Sequence, residues 1–357
     1  MEKLFIPGPT HVDQAVLTEM GRYPIGHRTQ AFRDLYSEIQ TGLKELLATT
    51  GTIILSTSSG TGLMEAAVKN LTHKRVANFV CGAFSRRMSE ITAACGLEHD
   101  VYNVEWGKAT RPEHVAEALD NADYDVVTIV HNETSTGVMN PLQEIAEVVK
   151  SKPDTLLVVD AVSSMMGAPI KVDEWGIDMI MASVQKAWAL PPGFAVASVS
   201  DAALERAAQT PQAQKGFYFD LTRMARSGEK NQTPITPSIP HMFALKRQLE
   251  RIRLEGLDAR LERHVKMAKH VRAWGAETFG LFAEPGSESL TLTCFTNQAG
   301  IDLVELVDRV RNRGFLISGG YGDLKGQTFR IAHMGDLNMR DIEEILAVVE
   351  EEAELLS

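Results

Sequence analysis

Residues 178–193 read DMIMASVQKAWALPPG, and the rest of the chain is arranged around them. Met179-Ile180-Met181-Ala182 is an apolar run with the length of a buried strand. It stops at Ser183; Lys186 follows three residues later, and Pro191-Pro192-Gly193 then turn the chain. A lysine between a buried strand and a Pro-Gly turn is oddly placed for a solubilising charge. Partial desolvation there disfavours the ammonium form and leaves a nucleophilic amine. Such an amine suits a Schiff base with a carbonyl, most often that of pyridoxal phosphate. An ordinary loop lysine fits this stretch equally well.

The surroundings favour the first reading. Strand-like runs at 52–55, 75–80, 99–104, 125–130, 155–159, 178–182 and 195–199 are separated, for the most part, by segments of helical character. That alternation predicts an α/β fold, with a mainly parallel sheet covered by helices on both faces. Ligands of such sheets sit at the carboxyl ends of the strands. Polar residues collect at those ends. Ser56 to Gly62 opens a helix, whose free N–H groups offer a phosphate site; hydroxyl residues also cap helices for stability alone. Asp160 closes Leu156-Leu157-Val158-Val159, and a buried carboxylate there needs a cation such as a pyridinium nitrogen. Phe84, after Cys81-Gly82-Ala83, can cover a ring or sit in the core.

Composition sets outer bounds. Of 357 residues, 44% are hydrophobic and 23% charged, the balance of a soluble globular chain with room for a large and a smaller domain. A net charge of −11 argues against nucleic acid or an anionic membrane as the main partner. Cys81, Cys95 and Cys294 are too scattered for a disulfide framework or a metal knuckle, so no metal site is expected and a cytoplasmic location fits. The opening MEKLFIPGPT carries no apolar signal region, and no stretch reaches membrane-spanning length.

The motifs together resemble the class V, fold-type I pyridoxal phosphate aminotransferases, and most of all their alanine–glyoxylate/serine–pyruvate branch. The resemblance runs through Pro7-Gly8-Pro9-Thr10, Ser59-Gly60-Thr61-Gly62, Glu133-Thr134-Ser135-Thr136-Gly137-Val138, Asp160-Ala161-Val162-Ser163-Ser164, Gln185-Lys186-Ala187, Pro191-Pro192-Gly193, Thr233-Pro234-Ile235-Thr236-Pro237 and Phe329-Arg330-Ile331. It implies Lys186 as the Schiff-base residue, Asp160 as partner of the pyridine nitrogen, Val162 beneath the ring and Phe84 above it, where the family often has tryptophan. Ser59, Gly60, Thr61 and Gln185 would hold the phosphate, with Ser135 in the supporting loop. Thr233 and Thr236 would reach the phosphate of a second subunit, implying a homodimer with shared sites. Arg330 would grip the substrate carboxylate, and Gly8 would also bind the substrate.

His27-Arg28 forms either a surface charge pair or a contact to an anionic substrate group. The expected organisation is an arm (1–20), a large cofactor-binding domain (21–256) and a small α+β domain (257–357). Gly319-Gly320-Tyr321-Gly322 reads as an entrance flap or a plain turn. The expected reaction moves an amino group from alanine or serine to glyoxylate or pyruvate. The alternatives are a phosphoserine or aspartate aminotransferase and, further off, a cysteine desulfurase-like lyase. The lyase would need a mobile cysteine, and Cys294 sits inside an apparent strand.

Overall fold

The computed structural model describes residues 2–356. All seven expected strands form, within a residue of their expected ends: β1 (Thr52–Ser56), β2 (Val76–Val80), β3 (His99–Asn103), β4 (Val126–Val130), β5 (Leu156–Asp160), β6 (Met179–Ser183) and β7 (Ala195–Val199). They make one sheet in the order β1-β7-β6-β5-β4-β2-β3. Only β7 runs against its neighbours. The other pairs are parallel, so β1, β4, β5 and β6 end at the same rim.

Side chains along each strand alternate between two cores, as the pleat requires. Leu157, Val159, Ile180 and Ala182 join one cluster with Phe32, Leu35, Ile39 and Leu43. These last come from α1 (Gln30–Leu46), whose apolar stripe packs with the long helix Ile239–Glu255. Leu156, Val158, Met179 and Met181 join the opposite cluster with Leu63, Ala67 and Leu71 of α2 (Gly60–Leu71). Burial on both faces explains why these strands read as continuous apolar runs.

Beyond Gly256, which ends the Ile239–Glu255 helix with a positive φ, come α3 (Leu257–Gly275), α4 (Leu303–Asn312) and α5 (Met339–Glu354). They surround a small antiparallel sheet of β8 (Leu292–Phe295), β9 (Ser318–Gly319) and β10 (Phe329–Ala332). α3 stops at Gly275 and β8 begins at Leu292. Phe279 instead packs edge-on to Phe295 and Phe329 in the core of this unit.

The arm holds two elements that the sequence did not suggest. Lys3–Leu4 pairs in parallel with Phe315–Leu316, and Phe5 is buried in the C-terminal core. Gln14–Met20 is a short helix capped by the Asp13 carboxylate, which accepts from the Ala15 N–H at 2.8 Å.

Candidate active site

Lys186 stands in the hairpin between β6 and β7. The hairpin is closed by hydrogen bonds from Val184 N to Phe194 O, 3.1 Å, and from Ala189 N to Lys186 O, 2.8 Å. The tight path puts Ala189 at φ 54° and Gly193 at φ 119°. Thr10 holds the same backbone from the arm, donating through Oγ1 to Lys186 O at 2.9 Å and through its N–H to Gln185 O at 3.0 Å. The lysine side chain is 8% exposed, and its Nζ donates to the Pro7 carbonyl. Burial lowers its pKa to about 8, Arg330 adds to that depression, and Asp160 opposes it.

Asp160 ends β5, one strand away, at 3% exposure. Burial raises its pKa to about 7, against a 2.7 Å hydrogen bond from the Val162 N–H and the attraction of Lys186. Desolvation is the larger effect for both partners, so each leans towards neutrality although the other carries opposite charge. A cationic ring nitrogen beside Asp160 would restore the carboxylate.

Both residues line one cavity of about 240 Å³, together with Gly8, Ser59, Gly60, Thr61, Phe84, Val162 and Gln185. At its end α2 begins: Ser59 occupies the cap position without a side-chain cap bond, which leaves first-turn N–H groups for an anion. A Cβ on Gly60 would stand 2.6 Å from Val162 Cγ2, so this position has to lack a side chain for the helix start to approach the ring floor. The lysine, the carboxylate, the open helix start and the Phe84 and Val162 side chains on one cavity wall fit pyridoxal phosphate. Bound there, the cofactor supplies an aldehyde and an electron sink.

Other expected residues lie elsewhere. Ser135 does not line the cavity: its Oγ donates to Glu133 Oε1 at 2.6 Å and accepts from the Ala83 N–H at 3.0 Å. Glu133, fully buried and not singled out by the sequence reading, also accepts from the N–H groups of Phe84 and Ser85, fixing the helix that presents Phe84. Arg330, 6% exposed, stands behind the cavity wall, donating to Gly319 O at 2.9 Å and Thr134 O at 3.1 Å. No carboxylate pairs with it among the described residues.

Thr233, Thr236, His27 and Arg28 lie outside this cavity. Arg28 donates to Thr233 O at 2.8 Å and Gln232 Oε1 at 3.2 Å; Thr233 is buried, with its Oγ1 bonded to Ile235 O, and Thr236 is exposed. None of the four lines the Lys186 cavity of its own chain.

Arg87, Asn132, Thr134, Ser163 and Tyr321 also line the wall, and the sequence reading gave them no role in it. Tyr321 belongs to the glycine-rich segment read as a flap or turn; its ring stacks on Phe84 at 5.3 Å and its hydroxyl accepts from Arg87 Nη2 at 3.0 Å. Three-residue spacing from Phe84 on one helix was the available signal for Arg87. Asn132 donates through Nδ2 to Ser163 Oγ and Thr291 Oγ1, while its Oδ1 has no partner, an acceptor left over beside the cavity.

A larger cavity, about 520 Å³, lies at the opposite ends of the strands, near Asp125 and Thr155. Asp125 is consumed there by the N–H groups of His73 and Arg75 and by Arg206 at 3.4 Å, so it offers no reactive group.

Fold and site define a pyridoxal-phosphate-dependent aminotransferase. The chain belongs to the class-V aminotransferases, whose family description, Aminotransferase class-V, matches residues 3–310. It is 39% identical over 354 residues to an uncharacterized aminotransferase of Methanocaldococcus jannaschii, covering 97% of this chain and 91% of that one. It is 32% identical to a serine–glyoxylate aminotransferase of Methylorubrum extorquens, covering 94% and 87%. Among solved structures, an aspartate aminotransferase of subgroup IV from Thermus thermophilus superposes with a TM-score of 0.91 at 30% identity, covering 99% of each chain. No helix among the described residues is long and apolar enough to cross a membrane.

Proposed function

We propose that the enzyme moves an amino group from alanine or serine to glyoxylate or pyruvate, acting as a homodimer. Lys186 holds the cofactor and carries the proton. Asp160 keeps the ring nitrogen protonated, Phe84 and Val162 bracket the ring, and Ser59, Gly60, Thr61 and Gln185 take the phosphate. The observation that carries this reading is the pairing of Lys186 and Asp160, each driven towards neutrality, across one small cavity.

The cavity is small, about 240 Å³, which favours a small donor and acceptor. Arg330 is held by main-chain carbonyls and lies 5.7 Å over the Tyr321 ring, with no carboxylate on its fork among the described residues, so the fork can turn to a substrate carboxylate. The serine–glyoxylate aminotransferase relative supports the same choice. Thr233 and Thr236, in a proline-rich segment outside their own chain's cavity, suit a role at a second subunit's phosphate.

One feature favours a second reading, an acidic donor such as aspartate or phosphoserine. Arg87 brings another guanidinium to the wall, and its hydrogen bond goes to a neutral hydroxyl. The aspartate aminotransferase likeness agrees with it. Desulfuration is disfavoured: Cys294 is 2% exposed within β8, and burial pushes its thiol up to about 11. A panel of alanine, serine, aspartate and phosphoserine against glyoxylate and pyruvate tests the proposal. A kcat/KM highest for alanine or serine supports it, and one highest for aspartate or phosphoserine overturns it.

A further inference from the structure

Arg260 lies on α3, remote in sequence from Asp160, Lys186 and Arg330, and is 1% exposed. Its guanidinium makes four hydrogen bonds. Nη2 donates to Ala187 O at 2.7 Å, Nε to Met166 O at 3.2 Å, and Nη1 to Asp336 Oδ1 at 2.9 Å and Glu255 Oε2 at 3.2 Å. Ala187 is the residue after Lys186. Met166 lies six residues after Asp160, and Asp336 six after Arg330. One side chain thus joins the segments that leave all three residues assigned to the chemistry.

We propose that Arg260 is a positioning residue that sets Lys186, Asp160 and Arg330 relative to one another. The joined segments are short and constrained. Met166 has φ 68° and Ala189 φ 54°, a region that is strained for a non-glycine residue and persists only when surrounding contacts hold it. Arg260 bonds the first of these residues directly and the hairpin of the second through Ala187. Asp336 is itself held, accepting from Gln248 Nε2 at 2.8 Å, so the third segment is anchored to the Ile239–Glu255 helix.

The neighbouring turn of α3 repeats the theme. His264 accepts from the Gly335 N–H at 3.1 Å, and a Cβ on Gly335 would stand 3.1 Å from Ala189 Cβ and 3.6 Å from Lys186 O. A buried ion pair is a poor way to gain stability, since well-packed apolar residues serve as well or better. Its value is geometric. The flat fork satisfies two carbonyls and two carboxylates in fixed directions, which lysine cannot do.

This inference rests on the roles proposed for Lys186, Asp160 and Arg330. It is tested with holoenzyme of Arg260→Met and Arg260→Lys, compared at a temperature where circular dichroism shows each fully folded. We expect the pyridoxal phosphate Kd to weaken about tenfold in Arg260→Met. The pH midpoint of the bound cofactor's visible absorbance should shift, and kcat/KM should fall on the order of a hundredfold for amino and oxo substrates alike, the scale of a misplaced reacting group. Arg260→Lys should recover part of each loss.

A folded Arg260→Met with wild-type Kd, absorbance midpoint and kcat/KM would overturn the proposal, leaving Arg260 a stabilising contact only. Should Arg260→Met fail to fold, Asp336→Asn removes one of the two carboxylates on Arg260, a charge that Arg251 also shares, and a KM rise with little change in melting temperature supports the proposal; a fall in melting temperature with unchanged kinetics overturns it. Wild-type protein with its cofactor on a lysine other than Lys186 would instead defeat the site assignment on which the inference stands.

Discussion

Asp160 and Lys186 leave the ends of adjacent parallel strands and face one cavity, with pKa values brought to about 7 and about 8 by their shared burial. Strongly shifted groups that face one cavity mark a candidate functional site.

Stability of the apoprotein should register the cost. Asp160 has a folded pKa raised from 3.8 to about 7, so the unfolded state loses its proton first as pH rises. The contribution is therefore intact below pH 4 and falls away as pH climbs through 7. Apo Asp160→Asn should melt above apo wild type at pH 8, with the gap closing towards pH 4. Melting curves at the two values check it; a gap that widens on acidification means the carboxylate is stabilised rather than strained.

With cofactor bound the order reverses. Asp160→Asn keeps the shape but loses the charge that pairs with the ring nitrogen, an attraction of roughly 4 kcal/mol at 4 Å and an effective dielectric near 20, before desolvation. We expect weaker cofactor binding and slower proton transfer in stopped-flow half-reactions. Near-normal turnover would remove Asp160 from the mechanism.

Gly8 is constrained by Lys186 itself. Its φ is +125°, and a Cβ would stand 2.6 Å from Lys186 Cδ. Gly8→Ala should leave a folded protein in which far less cofactor can be reductively fixed, because the lysine stem must move. Unchanged fixation and turnover would show that the arm yields instead.

Arg330→Lys keeps a cation but loses the planar fork. We expect the cofactor spectrum to persist while kcat/KM falls on the order of tenfold to a hundredfold, about 1.5–3 kcal/mol, for both amino and oxo substrates. A loss confined to one substrate would show that the carboxylate is gripped elsewhere.

The strands were legible because burial on both faces wrote them as apolar runs, as in Leu156-Leu157-Val158-Val159. Their polar ends then pointed to Asp160 and Lys186. The arm was not: Lys3 and Leu4 pair with Phe315 and Leu316, and no local pattern announces a partner some three hundred residues away. Tyr321 and Glu133 were missed for the same reason, and the three-residue spacing of Arg87 from Phe84 did not by itself mark a wall residue. Each takes its place through a contact between segments far apart in the chain, Arg87 with Tyr321 and Glu133 with Phe84. Thr233 to Pro237 forms neither helix nor strand, and its bonds to Arg28 had no signature in composition.

The central claim is that Lys186 is the residue that takes the cofactor. Holoenzyme reduced with borohydride and digested should carry the pyridoxyl label on the peptide containing Lys186, and Lys186→Ala should bind cofactor without fixing it while losing turnover by several powers of ten. Label recovered on any other lysine, or turnover surviving in Lys186→Ala, would contradict the account.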